Sequence, residues 1–438
     1  MSARYSRDAI LSMVQEDRVH RDLYISQELF ELEQRHFFAN TWNYAGHASQ
    51  IPLPGDFFTV EIAGQPLIAI RQADAQIRVL FNRCPHKGMP LATDACGNAG
   101  RALRCPYHSW TFKLDGSALG TPLRAGYENT RLKDSENGQG MQPVRHVQVY
   151  RDFIFVKIND AGLDFHEYFG PVLQAIDNLV DRSPVGRLHV EGGCIRNIVH
   201  ANWKMYFENI NDPVHPLTAH ESATAAAAGL WKDQPADAPK PMAMEQILPF
   251  GSGYDFFDGM GGRAYANGHT MLGTRFSIHS NYAQVPEYEA ALVAAHGQER
   301  TREILERSPQ NSVCFPSLSV KSSPQAIRVI RPLGVDRTLI EAWSFRPEGA
   351  PEVMLERAMM YNRLVFSPMS VVAHDDVHLF ESMQRGLRAG SNPWVSLHRD
   401  FSPGELDAQG PQEVNGTSEL LMRVQFRAWA RFMTADMA

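Results

Sequence analysis

Two short pairs of metal-ligand residues constrain this chain more than anything else in it. Cys84-Pro85-His86 is followed, after eighteen intervening residues, by Cys105-Pro106-Tyr107-His108. Two thiolates and two imidazoles can hold a tetrahedral zinc ion or a Rieske-type [2Fe–2S] cluster. Structural zinc sites mostly pair cysteine with cysteine and histidine with histidine. A Rieske centre puts thiolates on one iron and imidazoles on the other, so each loop must offer one sulfur and one nitrogen. Both pairs here are mixed in that way, and Pro85, Gly88, Pro90 and Pro106 suit two stiff loops facing each other. Cys96 lies between the pairs beside Asp94, Gly97 and Asn98, which marks it as a loop residue. A zinc ribbon variant is the alternative.

A chain of 438 residues is too long for a small electron carrier alone and implies at least two domains. Residues 1–40 read as helical, with Leu29, Phe30, Leu32 and Phe37 near helical spacing. Residues 41–158 alternate short β-prone runs (57–62, 66–71, 77–82 and 153–158) with Gly, Pro and Asp turns, as a small β domain does. The remaining 159–438 mix helix and strand. They contain a helix over 202–212, a Gly- and Ala-rich irregular stretch over about 222–270, and strands near 318–321, 326–332 and 338–345. Helices follow over 352–388, interrupted near Pro368, and over 418–434. The net charge of −7 is dispersed, which argues against nucleic acid as a partner. A charged N-terminus, no long apolar run and an odd cysteine count of 5 argue against membrane insertion or a disulfide framework. The expectation is a cytoplasmic protein.

A second metal site is readable in Asn209-Ile210-Asn211-Asp212-Pro213-Val214-His215-Pro216-Leu217-Thr218-Ala219-His220. Five residues advance a regular helix by about 140°, so His215 and His220 would not share a face. Pro213 and Pro216 break the helix where the two imidazoles must converge. Asp212, three positions before His215, is placed to orient it. A mononuclear iron(II) with open positions needs a carboxylate as third ligand. Val372, Asp376, Leu379 and Met383 form an apolar stripe holding a single acid, and a buried lone carboxylate calls for a cation. Asp375 lies about 100° away and should face solvent or a hydrogen-bond partner. Surface histidines and a buried salt bridge are the alternatives.

Together the Cys-x-His…Cys-x-x-His pairs, the segment Asn202-Trp203-Lys204 through His220, and Asp376…Glu381…Gln384-Arg385-Gly386 resemble a known family. They are similar to the catalytic α subunit of Rieske non-haem iron aromatic-ring-hydroxylating oxygenases, over nearly the whole chain. The resemblance implies an α+β fold, a β-rich Rieske domain inserted in a helix-grip catalytic domain with an antiparallel sheet. It implies Cys84, His86, Cys105 and His108 as cluster ligands, and His215, His220 and Asp376 as iron ligands. Asp212 matches the carboxylate that bridges an iron-ligating histidine to the Rieske histidine of a neighbouring subunit, here His108, and Asn209 a polar residue near the iron. Partners implied are an NAD(P)H-dependent reductase with or without a ferredoxin, and a small β subunit in some members. The assembly is a homotrimer, α3β3 or α3α3. Many relatives have an aromatic residue before the first iron histidine, where this chain has Val214, so substrate identity transfers poorly.

The activity implied is hydroxylation of an aromatic compound with dioxygen, as a cis-dihydroxylation, or as monooxygenation or O-demethylation at the same iron. A Rieske electron-transfer protein is the alternative of another class. The one dinucleotide-like motif, Gly259-Met260-Gly261-Gly262-Arg263-Ala264, lacks a preceding strand and does not open a helix, so electrons must come from a separate protein. Alternation puts Arg328 on the face of its strand that carries Ala326 and Ile330. There it can clamp a substrate carboxylate or pair with a structural acid. The segment is similar to one in oxygenases of benzoate-, terephthalate- or salicylate-like acids, and an aromatic carboxylate is the expected substrate.

Overall fold

In the computed structural model, residues 5–131, 140–235, 237–279, 285–435 and 437 are described. The chain divides into two compact units, Phe37–Gly162, and Met1–His36 with Leu163–Ala438.

The smaller unit is nearly all β. Strands β1 (Asn43–His47), β2 (Asp56–Ile62), β3 (Gln65–Arg71), β4 (Ile77–Phe81) and β5 (Cys96–Asn98) come first. They are followed by β6 (Ala102–Arg104), β7 (Thr111–Lys113), β8 (Ala118–Gly120), β9 (His146–Tyr150) and β10 (Phe153–Lys157). They pair antiparallel in three sheets, ordered β4-β3-β2-β5, β9-β10-β1 and β6-β7-β8. β3 shows how the strand period builds two cores at once. Ile68 and Ile70 join Leu80, Cys84, Cys105 and Trp110, while Leu67 and Ala69 join Phe58, Val79 and Ile154.

The larger unit is built on an open eight-stranded antiparallel sheet. Its strands are β11 (Leu188–Val199), β12 (Gly262–Ala264), β13 (Thr270–Leu272) and β14 (Asn311–Cys314). β15 (Leu318–Lys321), β16 (Ala326–Gly334), β17 (Arg337–Pro347) and β18 (Gln412–Val414) complete it, in the order β11-β17-β16-β15-β14-β13-β12-β18. The helices that matter here are α1 (Gln27–Leu32), α2 (Trp203–Asn211), α3 (Glu221–Trp231), α4 (Glu352–Tyr361), α5 (Ala373–Gly386) and α6 (Leu420–Thr434). No helix among the described residues is long and apolar enough to cross a membrane. The architecture is the expected α+β one, a β-rich insertion in an antiparallel-sheet domain.

Two local expectations are corrected. The stretch 222–270 is largely helical, with α3 and short helices at Met242–Ile247 and Tyr254–Gly259. Its alanines cluster at 223–228 without Gly or Pro, and alanine has the highest helix propensity. The stripe is buried at Val372, 3% exposed and just before α5, but not along the helix itself. Leu379 and Met383 are 40% and 46% exposed, and only Phe380 and Gln384 of that helix are buried. The apolar pattern is the same whether a helix lines a core or a cleft.

α2 is fixed at both ends. Asn202 caps its start by accepting from the Lys204 N–H. It stops at Asp212 because the residue before Pro213 is pushed out of helical backbone. Along its length, Asn311 Nδ2 donates to the Ile210 carbonyl (2.8 Å) and Thr270 Oγ1 to Asn211 Oδ1 (2.7 Å), which ties it to the sheet.

Candidate functional site

The Cys84 pair lies on the loop between β4 and β5, and the Cys105 pair between β6 and β7. Turns close each loop: Gly88 N–H donates to the Cys84 carbonyl, and Ser109 N–H to that of Cys105. The thiols of Cys84 and Cys105 are buried, 1% and 2% exposed. Burial pushes the Cys84 thiol up, and the adjacent Cys105 adds to it. The His86 and His108 rings face each other with centroids 4.5 Å apart, and Trp110 stacks on His86 at 4.8 Å. Nδ1 of His86 is buried with no hydrogen-bond partner among the described residues. His108 is exposed. The four residues do not converge on one ion position, unlike the triad below, among the described residues. Buried paired sulfurs and an orphaned imidazole nitrogen, spread wider than one ion, suit a two-iron cluster better than zinc.

In the larger unit, His215, His220 and Asp376 bring their ligand atoms within 4.8 Å of one another. The chain achieves this by alternating breaks and short turns. After Pro213, Pro216 opens a one-turn helix, Pro216–Ala219, where its missing N–H costs nothing. His215 precedes that turn, and His220 ends it at the start of α3. Asp376 comes from the first turn of α5, where a carboxylate is favoured by the helix dipole. Its Oδ1 lies 3.6 Å from His215 Nε2 and 3.4 Å from His220 Nε2.

Each imidazole turns its other nitrogen to a carboxylate. His220 Nδ1 is 3.3 Å from Asp375 Oδ2, and His215 Nδ1 is 3.8 Å from Asp212 Oδ2. Burial acts to lower the His220 pKa, but Asp376 and Asp375 outweigh it and raise it. Burial likewise opposes ionisation of Asp212, yet His215, the Val214 N–H and Arg399 hold its carboxyl below the ordinary range. Asn209 Nδ2 sits 3.1 Å from Asp376 Oδ1 and 3.0 Å from His215 Nε2, closing the group from the α2 side. Two nitrogens and one carboxylate on one side, with carboxylates behind both rings, match a metal ion kept open to exogenous ligands.

Arg328, on β16, is 5% exposed. Its guanidinium donates to Asn311 Oδ1, to Ser319 Oγ (3.2 Å) and to the Tyr206 hydroxyl (3.5 Å), and lies 4.6 Å over the Phe366 ring. Its Nε has no partner, and no carboxylate pairs with it among the described residues. Tyr206 precedes Asn209 by three positions on α2, so the arginine and the metal triad are joined by one helix face.

Asp375 has the hydrogen-bond partner expected of it, at His220 Nδ1. Sequence reasoning missed other neighbours. Gln384 of the late motif accepts from the Asn202 N–H (2.9 Å) and donates to the Tyr24 carbonyl (3.0 Å), locking α5 to the start of α2. Glu208 shares with Asp212, His215 and Asp376 a cleft of about 470 Å³, and burial pushes its carboxyl up to about 7. No spacing rule announces these, because each depends on a distant partner.

Comparison with known proteins agrees with this geometry. Residues 41–133 match the Rieske [2Fe-2S] domain and residues 179–435 the ring hydroxylating alpha subunit (catalytic domain). The chain belongs to the ring-hydroxylating oxygenase alpha-subunit family, and is an oxidoreductase of the Rieske non-haem iron type. It is 29% identical over 399 residues to the toluate 1,2-dioxygenase subunit alpha of Pseudomonas putida, covering 89% of this chain and 85% of that one. The large subunit of anthranilate 1,2-dioxygenase from Acinetobacter baylyi is 28% identical, covering 88% and 80%. A naphthalene 1,2-dioxygenase structure with indole bound shares the fold at TM-score 0.77 and 20% identity, covering 96% and 94%.

Proposed function

We propose that this chain is the terminal oxygenase of a multicomponent system and that it cis-dihydroxylates an aromatic carboxylate. The observation carrying the substrate reading is Arg328, a buried guanidinium with only neutral partners. Buried charges are normally paired, so an anionic ligand is the missing counter-charge. Toluate and anthranilate, in the names of two relatives, are aromatic carboxylates.

On this reading the domains run 1–40, 41–158 and 159–438, the first and last together forming the catalytic part. Cys84 and Cys105 would hold one iron of a [2Fe–2S] cluster, His86 and His108 the other, and His215, His220 and Asp376 a mononuclear iron(II). Bound there, the cluster supplies single electrons and the iron activates dioxygen. The chain's residues do the rest. Arg328 and Tyr206 hold the substrate carboxylate, and the Phe366 ring under the guanidinium supplies an apolar wall. Asp375 fixes the orientation of His220, the Asp212 carboxylate stands 3.8 Å behind His215, and the Asn209 amide lies against the metal-facing atoms of His215 and Asp376. Asp212 also links its iron site to His108 of a neighbouring copy in a trimer. A reductase, with or without a ferredoxin, supplies electrons in the cytoplasm, and a small β subunit completes an α3β3 assembly if present.

The test is product analysis with isotopically labelled dioxygen, a matched reductase and a panel of aromatic acids and hydrocarbons. A dihydrodiol of an aromatic acid carrying two labelled oxygens is expected. Turnover confined to uncharged hydrocarbons would remove the carboxylate reading.

A further inference from the structure

The face of the sheet that carries Arg328 carries a second buried cation. In the antiparallel register Ser319 pairs with Arg328 and Lys321 with Ala326. Alternation therefore puts Ser319, Lys321, Ala326 and Arg328 on one face, and places Lys321 diagonally from Arg328 at about 7–8 Å between Cα atoms. Lys321 is 4% exposed. Its ammonium donates to the Gln310 carbonyl (2.6 Å) and lies 5.6 Å from the centre of the Tyr361 ring, and no carboxylate pairs with it among the described residues. The acid of this region, Glu341, is opposite Val329 in the register, so it projects from the other face, where it pairs with Arg331 and Arg196. Arg182 adds a third buried cation to this neighbourhood, bonded to backbone carbonyls and Ser308. Burial drives the Lys321 pKa far down, and the charge of Arg328 pushes the same way. An ammonium here thus lacks what stabilises one in a protein interior, while Arg328 Nε is buried and unsatisfied beside it.

We propose that the substrate ring carries two anionic groups, one held by Arg328 and the second by Lys321, so that the substrate is an aromatic dicarboxylate rather than a benzoate. This rests on the reading of Arg328 as a carboxylate anchor. A monocarboxylate satisfies Arg328 and leaves Lys321 with no anion to hold its proton. Two carboxylates on one ring neutralise both. The ring then lies between the sheet and the Tyr206–Asn209 face of α2, the helix that carries both the hydroxyl at Arg328 and the amide at the metal triad.

The experiment is calorimetric titration of the holoenzyme with benzoate, phthalate, isophthalate and terephthalate, for wild type, Lys321→Met and Arg328→Leu. One dicarboxylate isomer is expected to bind wild type at least about tenfold tighter than benzoate, the gain of one charge-assisted contact. Lys321→Met should abolish that advantage, while Arg328→Leu should weaken every acid. If benzoate binds wild type as tightly as all three dicarboxylates, the second anchor is wrong while the first stands. That comparison needs no variant to fold. If Arg328→Leu binds all four acids normally with its iron retained, the carboxylate reading itself fails and the dicarboxylate inference with it.

Discussion

His269 shows how one side chain records its surroundings in its proton affinity. Its Nε2 donates to the Tyr168 carbonyl (2.8 Å) and its Nδ1 accepts from the Phe315 N–H (3.0 Å), so the neutral ring satisfies both contacts. Burial pushes its pKa down to about 4. The unfolded chain, with a histidine near 6.5, therefore takes up a proton first as pH falls. Stability from this group is full above pH 6.5, declines between 6.5 and 4, and is level below. Between pH 7 and 5 the loss is about 2 kcal/mol. Urea denaturation of wild type and His269→Gln at both pH values should show that excess loss in wild type alone. Equal pH slopes in the two proteins would mean the imidazole is not held neutral. The contact has consequences for the site, because Phe315 packs on Trp203 and Phe207 of α2 at 5.9 and 5.5 Å between ring centres.

At the scale of elements, α2 is held by a buried charge network. Glu33, following α1, accepts from the indole nitrogens of Trp203 (3.0 Å) and Trp429 of α6 (2.8 Å) and pairs with Lys204. Both partners of the ion pair are buried, with side chains 1% and 4% exposed, and Lys204 also donates to the Leu23 carbonyl (2.7 Å). Burial lowers the Lys204 pKa although Glu33 opposes it. Glu33→Gln leaves that ammonium without its counter-charge, at a cost of about 3–5 kcal/mol. Chemical denaturation should show a lower midpoint, with iron content falling as α2 loosens. An unchanged midpoint would show that the amide suffices. None of this was legible in the sequence, since the partners are separated by up to 396 positions. The mixed Cys/His pairs and the grouping of His215, His220 and Asp376 were legible because ligand geometry demands particular residue types at particular spacings. The strands of the smaller unit were legible because their two-residue period is local. The stripe of α5 was misread because periodicity reports an apolar face without saying what faces it. Lys321 was passed over because a lysine at the end of a strand reads as exposed, and only the register with Arg328 shows what it lacks.

At the scale of the whole molecule, the Cys/His pairs of the Rieske domain and the His215, His220 and Asp376 group lie in separate compact units. His108 is exposed on one unit, and Asp212, 23% exposed, borders an open cleft on the other. The trimer proposed above routes electrons from the cluster of one subunit to the iron of the next. Asp212→Ala should then retain both metals while turnover falls roughly 10–100-fold, the usual effect of removing a group that orients a metal ligand. A mixing experiment separates transfer within a chain from transfer between chains. His108→Ala removes a cluster ligand and leaves Asp212 intact, whereas Asp212→Ala leaves the cluster intact. Neither chain alone has a complete route, so transfer within a chain predicts no activity from any mixture beyond what Asp212→Ala retains by itself. Transfer around a closed ring of three makes each interface that joins an intact cluster to an intact Asp212 productive. In the trimer proposed above, every ring that contains both variants has one such interface, about one third of the total. Co-expression of the two variants under separate tags, with purification of mixed trimers, should recover about that fraction of wild-type dihydroxylation, with spectroscopy confirming the cluster content. Mixed trimers no more active than the variants alone would place the relay within one subunit.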